Sequence, residues 1–126
     1  TIGVGVPWQV QQTFTALGQL AGDVAMRAHF HDTRNTGIGN AFASMLAGVT
    51  TLDASIGGIG GCPFAPNASG NIATEDLVYM LNRSDVGHDL AMPALLDAAA
   101  WLEPILGKRL PSMLLKAGDW PAALAT

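Results

Sequence analysis

The stretch Val24-Ala25-Met26-Arg27-Ala28-His29-Phe30-His31 decides how the chain is read. It follows a turn at Gly22-Asp23 and reads as a strand, with Asp32 to Asn35 as its exit loop. From Thr36 to Ala47 the pattern is helical. Thr36 is a suitable N-cap, Phe42, Met45 and Leu46 form an apolar stripe, and Gly48 ends the helix. Val49 to Ser55 is a second strand, rich in β-branched residues. Strand, helix and strand in this order predict a parallel β/α unit.

Upstream, Gly3, Gly5 and Pro7 mark a loop. Trp8 to Leu20 carries apolar residues at Trp8, Val10, Phe14, Leu17 and Leu20, close to helical spacing. The opening Thr1-Ile2-Gly3-Val4-Gly5 reads as a strand end entering a turn, so further sequence is expected before it. Downstream, a glycine-rich loop runs from Ile56 to Asn71. Thr74 is positioned to cap the next helix, which has Glu75 and Asp76 in its first turn and reaches about Asn82. A last helix starts near Met92, with Pro93 tolerated in its first turn, and Pro104 is expected to kink or end it. The tail after Gly107 is apolar and reads as irregular.

Composition narrows the class. The chain has 126 residues, room for one modest domain, whereas a complete α/β barrel takes about 250. Hydrophobic residues make up 49% and charged residues 13%, a low charge content for a free-standing small domain. Strands enclosed in a larger barrel would have this balance. A net charge of -4, with no basic run, argues against a nucleic-acid partner. No apolar stretch is long enough to cross a bilayer and no targeting segment is visible, so a cytoplasmic location is expected. The single cysteine, Cys62, allows no intrachain disulfide and fits a reducing compartment.

Two segments carry chemistry. In His29-Phe30-His31-Asp32 the two histidines share one face of a strand, because residues two apart point the same way. Both imidazoles can therefore reach one point at the strand's C-terminal end, as half of a divalent-metal site. Asp32 could orient a ligand from behind. Two histidines with ordinary hydrogen bonds are the plainer alternative. The second segment is Gly57-Gly58-Ile59-Gly60-Gly61-Cys62-Pro63. Its four glycines, Gly57, Gly58, Gly60 and Gly61, make a loop able to bend and approach a ligand, with Cys62 at the tip and Pro63 fixing the chain beyond. A lone cysteine is usually a small buried hydrophobe; this setting suits a reactive thiol on a lid. A phosphate cradle is disfavoured, since no Walker pattern or following lysine is present. Asn71, just ahead of a helix, could cap that helix or ligate a metal.

Taken together, Gly60-Gly61-Cys62-Pro63-Phe64-Ala65, Ala68-Ser69-Gly70-Asn71 and Ala73-Thr74-Glu75-Asp76-Leu77-Val78-Tyr79-Met80-Leu81 resemble the signature of 3-hydroxy-3-methylglutaryl-CoA lyases. His29-Phe30-His31-Asp32-Thr33 resembles their metal-binding strand, and the likeness runs in one register from Thr1 to about Gly107. The resemblance implies the C-terminal part of a (β/α)8 barrel, about strands seven and eight with their helices, spanning residues 1–126. It implies His29, His31 and Asn71 as metal ligands and Cys62 as the catalytic thiol. The family's remaining ligand, an Asp on the first strand, and its neighbouring Arg have no counterpart here. Asn35 and Asn67 stand where many members have Gly, and Asn is the substitute that best tolerates a left-handed backbone. Phe64 replaces the usual Tyr.

The implied reaction is cleavage of a 3-hydroxyacyl-CoA to acetyl-CoA and acetoacetate or the corresponding oxo acid. The expected cofactor is a divalent cation, Mg²⁺ or Mn²⁺, with Zn²⁺ compatible. His29 doubles as a candidate proton-transfer group. The expected partner is the acyl-CoA substrate, with neither nucleic acid nor membrane, and a homo-oligomer is compatible. Two other readings stay open. Related synthases that condense an acyl-CoA with a 2-oxo acid share the His-x-His strand but not the Gly-Gly-Cys-Pro loop. The chain could also be a non-catalytic barrel fragment.

Overall fold

In the computed structural model, which describes residues 2–61 and 67–120, the chain is an α/β unit. Helix α1 (Pro7–Ala21), strand β1 (Arg27–His29), helix α2 (Gly37–Leu46) and strand β2 (Thr51–Asp53) follow in order. β1 and β2 pair in parallel, with Arg27 opposite Thr51, Ala28 opposite Leu52 and His29 opposite Asp53. After a 3-10 turn at Ile56–Gly58 come helices α3 (Thr74–Arg83), α4 (Met92–Leu106) and the short α5 (Met113–Ala117).

Burial decides which way β1 faces. Ala28 and Phe30 join Ala41, Val49, Ile72 and Leu77 in the core, with Val10 and Phe14 of α1 packed against them. Neighbouring strand residues point to opposite faces, so burying Ala28 and Phe30 under the helices sends His29 and His31 to the other side. α1 covers this core with only part of its expected stripe. Val10 and Phe14 are half-buried, whereas Trp8, Leu17 and Leu20 are exposed.

Several local expectations are corrected. The first strand does not extend over Val24–His31, nor the second over Val49–Ser55; each keeps a three-residue ladder. A ladder exists only where a partner supplies donors and acceptors, and composition does not reveal where that partner stops. Thr36 sits at the N-cap of α2 without capping it. Its hydroxyl donates to Gly5 O at 2.9 Å, and Asp32 Oδ1 accepts from Gly37 N at 2.7 Å in its place. Thr74 is the first residue of α3; Ala73 holds the N-cap position, with no side-chain cap bond. α4 runs through Pro104 to Leu106 and closes on left-handed Gly107. Pro104 falls in the last turn, so the hydrogen bond it removes is one of the helix's last. The tail is not irregular throughout. Ser112 accepts from Leu115 N, and Asp76 accepts from Ser112 Oγ, Met113 N and Leu114 N, which together cap α5.

Asn35, expected to tolerate a left-handed backbone, has φ 55°. It turns the chain from β1 into α2 two residues before Gly37. A Cβ on Gly37 would lie 2.3 Å from Ile72 Cγ2, 2.8 Å from Asp32 Oδ1 and 3.0 Å from His31 O. The start of α2 therefore packs directly on the backbone that carries His31. Gly37→Ala is expected to destabilise the protein by about 1–3 kcal/mol through overpacking, read as a lower urea midpoint with an unchanged m-value. An unchanged midpoint would mean that this close approach is not maintained in solution.

Candidate metal-binding site

The site is assembled by a short antiparallel pairing at the end of β1. His31 lies opposite Asn71, flanked by hydrogen bonds from Asp32 N to Gly70 O (3.1 Å) and from Ile72 N to Phe30 O (3.2 Å). Because the flanking residues make those bonds, His31 and Asn71 form a non-hydrogen-bonded pair, the kind that brings side chains closest on one face. His29, two residues back along β1, shares that face. The His29 and His31 rings meet edge to face, with centroids 5.2 Å apart. The structure thus brings His29, His31 and Asn71 together.

Each donor is oriented by a neighbour. Asn71 Nδ2 donates to Ile59 O at 3.0 Å. A carbonyl only accepts, so the amide nitrogen must face Ile59, which leaves Asn71 Oδ1 as the outward acceptor. His29 Nδ1 contacts Asp53 Oδ1, so this nitrogen carries the hydrogen, and in the neutral ring Nε2 is the atom left to ligate. Burial pushes the pKa of His31 below its usual value, and neighbouring His29 adds to the shift. The shift favours the neutral imidazole, the form that ligates a cation. His31 is 6% exposed, and its Nδ1 is a buried polar atom without a partner among the described residues.

Asp32 was expected to orient a ligand, but its Oδ1 accepts from the first N–H of α2. The carboxylate that touches a site histidine is Asp53, which the sequence reading passed over. Its signal was faint. Asp53 is an acidic residue in a β-branched run, and only the register opposite His29 reveals its role. Glu75 was also missed as a site element. It is fully buried, and both its oxygens accept from Gly57 N, at 3.0 and 3.1 Å.

That contact corrects the picture of the glycine loop. Gly57 and Gly58 are not part of a free tip; both are buried, and Gly57 at φ 65° packs so closely on Leu110 that a Cβ would lie 2.2 Å from its Cδ1. Gly60 and Gly61 are exposed. Cys62 and Pro63 lie outside the described residues. A cleft of about 230 Å³ adjoins the site, bordered by Asp32, Thr33, Gly58, Asn71, Asp76 and Ser112.

Two imidazoles and a carboxamide oxygen are a donor set suited to a hard or borderline divalent cation, and the carboxylate behind His29 is the usual support for a metal-ligating histidine. Among the described residues no three His, Cys, Asp or Glu side chains are grouped to hold a metal; the set uses Asn71 as its third donor. No helix of the described residues is long and apolar enough to cross a membrane.

Comparison with known proteins identifies the family. The HMGL-like family model matches residues 1–102, and the chain belongs to that family. It is 47% identical over 118 residues to an (R)-citramalyl-CoA lyase of Chloroflexus aurantiacus, covering 94% of this chain and 37% of the relative. It is 45% identical over 116 residues to a hydroxymethylglutaryl-CoA lyase of Bacillus subtilis, covering 92% and 39%. Among solved structures, an HMG-CoA lyase from Acinetobacter baumannii in complex with coenzyme A and 3-methylmalate superposes with a TM-score of 0.91. The two are 39% identical, over 98% of this chain and 40% of that one. The chain thus spans about two fifths of the length of these relatives.

Asp53→Ala is expected to weaken Mn²⁺ binding by the intact protein about 10- to 100-fold, the usual effect of removing a carboxylate behind a ligating histidine. Calorimetric titration with Mn²⁺ measures it. Unaltered affinity in a folded variant would detach Asp53 from the site.

Proposed function

We propose that this chain is the C-terminal part of a (β/α)8-barrel acyl-CoA lyase, contributing about the seventh and eighth strands with their helices. Its substrate would be 3-hydroxy-3-methylglutaryl-CoA or a close 3-hydroxy-3-alkyl acyl-CoA. The reading rests on family membership and on the pairing that sets His31 and Asn71 side by side with His29 on the same face.

In this reading the C3 hydroxyl loses its proton, the C2–C3 bond breaks, and an oxo acid and the enolate of acetyl-CoA form. A bound Mg²⁺ or Mn²⁺ would lower the hydroxyl pKa and fix the geometry of the reacting atoms. His29, His31 and Asn71 would hold it through two nitrogens and one oxygen. Asp53 locks the His29 tautomer, leaving Nε2 to serve either the cation or the C3 hydroxyl proton, one at a time. Glu75 and Leu110 pin the base of the glycine loop at Gly57. Cys62 would protonate the enolate carbon; a thiol of ordinary pKa is protonated at neutral pH and can donate.

The 126 residues alone are expected not to turn over substrate. They supply three neutral donors, and the side chains of His29 and Asp53 are 40% and 45% exposed in a two-stranded sheet. Activity therefore belongs to the intact barrel. A second substrate reading is favoured by the relative named (R)-citramalyl-CoA lyase. Incubating the intact protein and Mn²⁺ with each thioester, and identifying the oxo-acid product by mass spectrometry, decides between them. Cleavage of neither would overturn the lyase reading, and product release by the 126-residue chain alone would overturn its expected inactivity.

In the intact protein, Cys62→Ser is expected to keep Mn²⁺ affinity and lower kcat by about 10²- to 10⁴-fold, the range for a lost general acid. Undiminished turnover would remove the thiol from the reaction. His31→Ala is expected to lose Mn²⁺ binding and turnover together; a retained metal stoichiometry would break the ligand assignment.

A further inference from the structure

The cleft of about 230 Å³ beside the site is bordered by several polar side chains, and most of them are already engaged. Asp32 Oδ1 accepts from Gly37 N, and Asp76 accepts from Ser112 Oγ and from the first two N–H groups of α5. Thr33 Oγ1 accepts from Ser69 N at 3.3 Å, and Asn71 Nδ2 donates to Ile59 O. Asn35 differs. It borders the same cleft and is exposed, and among the described residues its one hydrogen bond is a backbone one, from its N–H to Asp32 O at 3.0 Å. The turn does not require this carboxamide. At φ 55° the backbone is left-handed, where glycine is unstrained and Asn is only tolerated. Many members of the family it resembles have Gly at this position.

The walls also restrict what can occupy the cleft. Two carboxylates, Asp32 and Asp76, border it, and no Lys or Arg does. A carboxylate or phosphate group there would meet like charge with no basic partner. A neutral group that carries both a donor and an acceptor meets no such penalty. A carboxamide matches an amide of this kind: Asn35 Oδ1 can accept its N–H while Nδ2 donates to its carbonyl. In an acyl-CoA the acyl carboxylate and the phosphates are anionic, and the pantetheine arm next to the thioester is neutral and bears two amides. Asn71 borders both the cleft and the proposed cation site, so an arm lying here leads directly to the reacting thioester. We propose that this cleft takes the amide arm of the acyl-CoA and that Asn35 binds one of its amides. The identity of the bound molecule rests on the lyase reading; the preference for a neutral amide does not.

The test separates the two. The intact protein, with Mn²⁺ present, is titrated calorimetrically with S-methyl-CoA and with S-methylpantetheine. Both are unreactive thioethers that carry the amide arm, and only the first carries phosphates. Asn35→Gly removes the carboxamide and relaxes the turn, so the variant keeps its fold. It is expected to weaken both ligands about 2- to 10-fold, the worth of one net hydrogen bond, and to leave Mn²⁺ affinity unchanged. Equal affinities in the natural protein and the variant would overturn the proposal. So would a loss confined to S-methyl-CoA, which would put the phosphates at Asn35, or a natural protein that binds neither thioether. A loss of Mn²⁺ affinity in step with both thioethers, with a lower urea midpoint, would reduce Asn35 to a turn residue and overturn it as well. Thioether binding that depends on Asn35, in a protein that cleaves no acyl-CoA, would support the arm site and sink the lyase reading instead.

Discussion

His31 and Asn71 are forty residues apart in the chain and directly opposite each other in space, joined by a bridge that two backbone hydrogen bonds flank. Much of the local architecture is tied to this pairing. On one side, Asp32 leaves the bridge and caps α2, while Gly37 packs against Ile72 from the other side of it. On the other side the chain continues from Asn71 into a second contact. Ser55 N donates to Ile72 O and Thr74 N donates to Ser55 O, which sets the start of α3 at the end of β2. One pairing therefore positions two donors and the first turns of two helices. A slip of one residue would turn Asn71 to the opposite face and put Ile72, now fully buried, on the site side. The apolar demand of the core and the polar demand of the site fix the same register.

The acidic residues near the site serve architecture. Asp32 holds the start of α2, Glu75 the base of the glycine loop, Asp76 the start of α5, and Asp53 the ring of His29. Each carboxylate is engaged by a backbone N–H or an imidazole, so the donors on the described site face are two imidazoles and a carboxamide. In the proposed chemistry this is useful. Three neutral donors would leave most of a bound cation's charge to the remaining Asp ligand that the resemblance implies and to the substrate's oxygens.

The helices were largely legible from the sequence, because a 3.6-residue apolar period and its Gly or Pro boundaries are local properties. The ends of α1, α2 and α3 agree with the periodic reading to within about two residues, the ordinary uncertainty of helix termini. Caps were less legible. Thr36 and Thr74 have suitable chemistry, but Gly5 O competes for the first and Ala73 takes the cap position of the second. Strand lengths were illegible because a ladder is a property of two segments. Asp53 escaped notice for the same reason: its partner is twenty-four residues away and is defined only by the parallel register. The His-x-His spacing was readable because the period of a strand is fixed. That Asn71 joins that face depends on the bridge, which no composition rule encodes; only the family resemblance pointed to it.

The four glycines of the loop looked alike as a sequence and divide into two kinds in space. Gly57 is held by a buried carboxylate and pressed on Leu110, and Gly58 lies against Pro111, so the first half of the motif is a fixed footing. Gly60 and Gly61 are exposed, and Gly60 passes beside Asn71 Nδ2, whose orientation is set by Ile59 O between the two halves. The footing and the donor are therefore coupled: what holds Ile59 in place also aims the Asn71 oxygen. The two relatives named for different acyl-CoA substrates are nearly equally similar to this chain, at 47% and 45% identity. In the proposed chemistry, cation placement and proton delivery would be steps common to both reactions. In this reading, discrimination between acyl groups belongs to surfaces other than the pairing of His31 with Asn71.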